Sequence, residues 1–307
     1  MMKSAQDRFK TLRRLACTLT TLGLMASATV AEADSVTPAK QLFGAAKLPT
    51  AGAPEPHGFY AKGCLEGGQA LSIDGPNWQV MRLSRNRNWG HPAIINVLER
   101  LSRDGVKDGW PGLLIGDLSQ PRGGPMLNGH SSHQIGLDAD VWLTPMPNRR
   151  LSAKEREDLP FTSMLEPKKF LTINEANWTP AHARIIMRAA SYPEVQRIFV
   201  NPAIKKKLCE TWQGNRDLLG KVRPIYGHDA HFHIRVSCPA GSADCKEQAA
   251  TPTGDDCGKG LAWWFTKEPW AKPKKDPNAP PPKPPKPVTL ADLPKACSAV
   301  ISAPTTR

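Results

Sequence analysis

Five of the eight histidines in this 307-residue chain fall in two short stretches. The first, GHSSHQIGLDADVW at residues 129–142, places His130 and His133 three apart and Asp140 seven residues beyond the second. The second, GHDAHFHIRV at residues 227–236, carries His228, His231 and His233. Imidazole nitrogens and a carboxylate oxygen are the donors of a catalytic zinc site, where three protein ligands leave a fourth position to water. Neither stretch contains a cysteine, which argues against a closed, purely structural zinc site. H-x6-D and H-x-H are each weak signals; together in one chain they point to a divalent ion with an open face.

Strands must aim these groups. Residues 137–143 (LDADVWL) alternate, with Asp138 and Asp140 on one face and Leu137, Ala139 and Val141 on the other. Residues 231–236 (HFHIRV) alternate too: His231 and His233 point one way, while Phe232, Ile234 and Val236 face the core. Asp138 fits either an orienting carboxylate behind a ligand or a solvated strand residue. His57, His91 and His182 read as surface or locally satisfied residues. Elsewhere the pattern predicts a helix over 91–104, with Pro92 in its first turn, and a helix over 179–191, capped by Thr179. It also predicts strands over 111–116 and 197–200 and a short helix over 203–210. Strands and helices without a regular βαβ rhythm imply an α+β fold. The expected form is a central, mainly antiparallel sheet with helices packed around it and the zinc site in a cleft.

Residues 1–33 read as a signal peptide. Lys3, Arg8, Lys10, Arg13 and Arg14 precede an apolar run that ends at Ala31-Glu32-Ala33. The run is short and diluted by Thr and Ser for a membrane anchor, and Cys17 precedes most of it, unlike a lipoprotein acceptor. The remaining 36 basic and 26 acidic residues leave a charge of +10, suited to anionic surroundings such as wall polymers. No zinc-finger spacing, RNA-binding aromatic motif or basic helix argues for nucleic acid, and no later run is long enough to cross a bilayer. In an exported chain the six cysteines beyond Cys17 (Cys64, Cys209, Cys238, Cys245, Cys257 and Cys297) imply three disulfides, with the pairing open. Residues 34–266 are expected to form one catalytic domain. Residues 267–288 are proline-rich and extended, and 289–307 form a tail that a disulfide through Cys297 would tether.

The stretches GHSSHQIGLDADVW, RIFVNPAIKKKLCE and KVRPIYGHDAHFHIRVSCP, with MRLSRNRNWGHP and LLIGD, resemble the penicillin-insensitive murein endopeptidase family over residues 64–297. Its wider group includes D-Ala-D-Ala dipeptidases and lysostaphin-type peptidases. The resemblance implies Zn2+ held by His133, Asp140 and His233, with His130 ligating or standing beside the ion. It implies His231 as the active-site histidine next to the metal and His228 as another. It also implies the pairs Cys64–Cys297, Cys209–Cys257 and Cys238–Cys245. A second metal, held in some members by an Asp and a His between the motifs, has no matching pair near KKFLTINEANW. The implied activity is periplasmic, zinc-dependent hydrolysis of the D-alanyl–diaminopimelyl cross-link of peptidoglycan. The chain lacks the Ser-x-x-Lys motif that β-lactams acylate. The alternatives are a D-Ala-D-Ala-type carboxypeptidase or dipeptidase, and a non-catalytic, disulfide-stabilised wall-binding protein.

Overall fold

In a computed structural model, residues 37–272 and 285–305 are described. The expected signal peptide at 1–33 and most of the proline-rich segment lie outside these residues. The chain runs through α1 (Ala39–Ala45), the hairpin of β1 (Glu55–Phe59) and β2 (Lys62–Glu66), then β3 (Gln69–Ala70), β4 (Asp74–Gly75), β5 (Trp78–Val80) and β6 (Trp89–Gly90). Next come α2 (Pro92–Lys107), β7 (Leu113–Ile115), β8 (Asp138–Trp142), α3 (Ala153–Asp158), α4 (Pro180–Ala190) and β9 (Val195–Val200). Last are α5 (Pro202–Thr211), β10 (Val222–Pro224), β11 (His231–Val236), α6 (Lys259–Trp263) and α7 (Ala296–Ser302).

Seven strands form the main sheet in the order β10-β9-β11-β8-β7-β5-β4. The expected mainly antiparallel sheet is partly mixed: β9 with β10, and β5 with β7, run parallel. The reason is visible in the connections. α5 lies between β9 and β10, and α2 between β5 and β7, and a helical crossover returns the chain in the same direction. Both crossovers escaped the sequence pattern because one strand of each pair, β5 and β10, has only three residues.

Local chemistry sets the helix ends. The His91 side chain accepts from the Ala93 N–H at 3.1 Å, and Pro92 opens α2 without needing an amide donor. Ile94, Val97, Leu98 and Leu101 on one face of α2 are buried, each contributing about 1.5–3 kcal/mol of transfer free energy. α4 packs against this helix at Gly105, where an added Cβ would meet Ile185 Cδ1 at 2.6 Å. At the start of α4, His182 Nδ1 accepts from the Thr179 N–H at 3.0 Å, and Nε2 faces the Leu143 carbonyl at 3.0 Å. His57 lies 3.2 Å from Asp244 and 3.4 Å from Glu66. All three isolated histidines are thus locally satisfied.

A smaller apolar cluster joins α1 to the C-terminal segment through Phe43, Leu290, Leu293 and Val300. The Cys64–Cys297 disulfide sits inside it, with a sequence separation of 233. Cys209–Cys257 and Cys238–Cys245 are also bonded, so all three pairs are those the resemblance implied. Arg122 donates to the Val300 and Ile301 carbonyls at 2.6 and 2.7 Å, adding a polar fastening to the covalent one. Replacing Cys64 and Cys297 together by alanine is expected to cost on the order of 5 kcal/mol, by the loop-entropy argument. The check is the guanidinium chloride midpoint against the unaltered protein.

Candidate metal centre

β11 lies between β8 and β9, and its register builds the site. His233 is paired directly with Asp140, and Arg235 with Asp138. The side-chain period of two then puts His231, His233 and Arg235 on the face that carries both aspartates. Phe232, Ile234 and Val236 turn the other way and are fully buried.

Asp140 is the hub. Its Oδ1 lies 3.5 Å from His133 Nε2, 3.6 Å from His233 Nδ1 and 3.8 Å from His231 Nε2, and its Oδ2 lies 3.4 Å from His130 Nε2. Burial alone would raise this carboxyl, but His231, His133 and His130 hold it well below the usual carboxylate range. His130, His133 and Asp140 offer ligand atoms all within 4.8 Å of one another, and no other group among the described residues does so. His233 stands outside that group despite its approach to Asp140. Burial pushes the His233 imidazole down to about 4, so it is neutral and able to donate a lone pair.

The polar atoms here are unusual in lacking partners. His133 Nδ1 and Nε2, Asp140 Oδ1 and His231 Nε2 are buried and make no hydrogen bond. Leaving buried polar atoms unpaired costs about 1–3 kcal/mol each. A divalent cation bound among them would satisfy several at once, so the donor set fits a metal of the N/O-binding class. The cluster also has a closed side and an open side. The side chains of His133, His233 and Asp140 are at most 6% exposed, whereas those of His130 and His231 are 23% and 22% exposed.

Two further carboxylates support the centre. Asp138 receives Arg235 Nε and Nη2 at 2.7 and 3.0 Å and the His133 backbone N–H at 3.0 Å. Its Oδ1 lies 3.0 Å from His233 Nε2. Asp138 is therefore an orienting carboxylate and not a solvated strand residue. The Arg235 guanidinium also lies over the Tyr60 ring, 4.0 Å from its centroid. On the open side, Asp117 Oδ2 accepts from Arg87 at 2.8 Å and Arg85 at 2.9 Å and lies 3.1 Å from His130 Nε2. Burial would raise the Asp117 carboxyl, but His130, Arg85 and Arg87 bring it down to about 2.

His228 is close by, its ring centroid 4.8 Å from that of His231 and 5.9 Å from that of His233. Its Nδ1–H donates to the Tyr226 carbonyl at 3.0 Å, which leaves Nε2 as the basic nitrogen. Burial, then the neighbouring His231, lowers its pKa. His133 and His228 both have left-handed backbone, at φ 67° and 54°, a conformation uncommon outside glycine. Thus the structure gathers the other five sequence-predicted site residues around Asp140. Asp117, Arg87 and Arg235 were missed as site residues. A signal was present for Arg235, which continues the alternation of His231 and His233; Asp117 and Arg87 carried none.

The match to known proteins is extensive. Residues 56–302 match the family model described as penicillin-insensitive murein endopeptidase. A protein of that name from Haemophilus influenzae is 41% identical over 263 residues, 83% of this chain and 85% of the relative. Another, from Yersinia enterocolitica, is 40% identical over 272 residues, 88% and 96% of the two chains. A third, from Pectobacterium atrosepticum, is 39% identical over 251 residues, 80% and 86%.

Two outcomes are expected from the supporting carboxylates. Arg235→Ala leaves the Asp138 charge buried without its main partner and should destabilise the fold by about 3–5 kcal/mol, read in equilibrium denaturation. Asp117 is held at about 2 against an ordinary 3.8. A depressed carboxyl contributes stability that is fully present above its unfolded pKa and is lost as pH falls through the folded one. The melting temperature should therefore drop between about pH 4 and pH 2, and Asp117→Asn should flatten that limb.

Proposed function

The chain belongs to the penicillin-insensitive murein endopeptidase family and is a murein endopeptidase, and we propose that it works with a zinc ion bound around Asp140. The ligands in this reading are His133, Asp140 and His233, with His130 beside the ion under the hold of Asp117. What supports it is the convergence of partnerless buried imidazole nitrogens on one partnerless carboxylate oxygen. When bound, such an ion supplies Lewis-acid polarisation of a carbonyl and lowers the pKa of water.

The chain's own residues supply the rest. Asp138 and Arg235 fix the His233 ring and the His133 backbone, so the donor set is preorganised. His231, half-buried on the open side, is the group placed to move a proton between attacking water and leaving amine. His228 is its helper: its Nε2 lone pair is free for a proton while Nδ1 is committed to Tyr226. The bond cut is the D-alanyl–diaminopimelyl cross-link between stem peptides. β-Lactams find no acylatable serine in such a mechanism. The partner is peptidoglycan, and the enzyme acts outside the cytoplasm, in the periplasm, after export by residues 1–33. No helix among the described residues is long and apolar enough to cross a membrane.

The test is digestion of purified cross-linked muropeptide dimers, paired with metal analysis. Monomers should appear, a chelator should stop their release, and added zinc should restore it. His133→Ala should lose bound metal. His231→Ala should keep it, with turnover lower by ~10² or more. Release of free D-alanine alone, with dimers intact, would overturn the endopeptidase assignment of this site.

A further inference from the structure

A groove of about 950 Å³ lies beside the loop that carries His228, for Gly227 and Asp229, on either side of that histidine, are part of its lining. Its outer wall is the segment bridged between Leu165 and Ile173, with Phe170 near the tip. The foot of that wall is tied to the histidine loop: the Met164 N–H donates to the Asp229 carbonyl at 2.8 Å, and the Ser163 hydroxyl donates to the Asp229 carboxylate. The far wall comes from elsewhere in the chain. Trp270 stands 5.5 Å from Phe170 and 5.6 Å from Tyr226, centroid to centroid. Its indole N–H donates to the Trp264 carbonyl at 2.8 Å, which sets the ring in place before any ligand arrives. Phe170 and Tyr226 are 58% and 73% exposed, an expensive arrangement for large rings unless something covers them.

We propose that this groove is the subsite for one stem peptide of the cross-linked substrate, and that Trp270, with Phe170 and Tyr226, determines how tightly that peptide is held. The inference rests on the murein endopeptidase reading of the adjoining centre. Three features select a peptide as occupant. The groove is continuous with the loop that carries His228. It exceeds the room that the two residues of a scissile bond require. Glu166 and Lys169 give its rim one acidic and one basic group, matching the amino and carboxylate groups of a stem peptide. Its methyl and methylene groups would lie on the aromatic rings, while the polar side of the lining, with Asn174, Asn177 and Asn201, would meet its amides.

The probe is a sugar-free, cross-linked stem-peptide dimer, compared with the same dimer carrying its disaccharides, on the full-length protein. Calorimetric binding to the metal-free form and steady-state kinetics with zinc are both read. Trp270→Ala and Phe170→Ala should each weaken binding and raise KM for the sugar-free dimer by about three- to tenfold, the size of one aromatic contact. kcat should change less than twofold, since the lost contacts hold ground state and transition state alike. Trp270→Phe should recover most of the loss. Phe170 is on an exposed tip, so its variant guards against a folding defect at Trp270. Unchanged binding and KM in both alanine variants overturn the proposal. So does a loss confined to sugar-bearing dimers, which would assign the groove to glycan. A wild-type protein that binds the peptide in this groove but never cuts it would instead remove the endopeptidase reading and leave the subsite standing.

Discussion

The ion pair between Asp138 and Arg235 is the constraint on which the centre depends. Both residues are almost wholly buried, and they face each other across β8 and β11. Two charges taken from water are tolerable only when the geometry is good and the remaining lone pairs are satisfied. Here the guanidinium fork meets both carboxylate oxygens, while the His133 amide uses one of them as well. A slip of one residue between the strands would expose the apolar face and separate the charges. The same slip would carry His233 away from Asp140. Electrostatics and apolar burial therefore enforce one register, and that register is the one that assembles the donors.

The donors are arranged by how wet they are. His133, His233 and Asp140 are sealed against the sheet, while His130, His231 and His228 line the accessible side. In the function proposed above, this division separates holding an ion from handling protons and substrate. The left-handed backbone at His133 and His228 has a related meaning. Each histidine sits where the chain must turn sharply, and the nearby bonds, to Asp138 in one case and Tyr226 in the other, hold it there. Backbone conformations of this sort cost about 1–3 kcal/mol and persist where surrounding structure over-determines them.

Much of this was legible in the sequence, for identifiable reasons. The HFHIRV strand matched its predicted bounds because its period of two is strict, and α2 and α4 announced themselves by Pro at the first turn and helical apolar spacing. Six histidine and aspartate positions could be named because reactive residue types cluster in two stretches. The parallel pairings could not be read, since three-residue strands carry too little periodicity. Asp117 was hidden for a different reason: one carboxylate after an apolar run has no pattern of its own, and its importance comes from Arg85, Arg87 and His130 arriving from other segments. Trp270 is likewise placed by the fold alone, which sets it opposite Phe170.

The order of the bonded cysteines places a demand on biogenesis. The three bridges are nested, each enclosing the next, with Cys238–Cys245 innermost and Cys64–Cys297 outermost. A chain synthesised at about 5–20 residues per second presents Cys64 tens of seconds before its mate, and Cys209, Cys238, Cys245 and Cys257 all emerge in between. Oxidation in order of appearance would join Cys64 to Cys209 and strand Cys257 with Cys297, leaving only the innermost bridge right. Native pairing is therefore set by the fold that brings each pair of sulfurs together and not by the order in which they emerge, and any early mispaired bond must be undone by thiol–disulfide exchange.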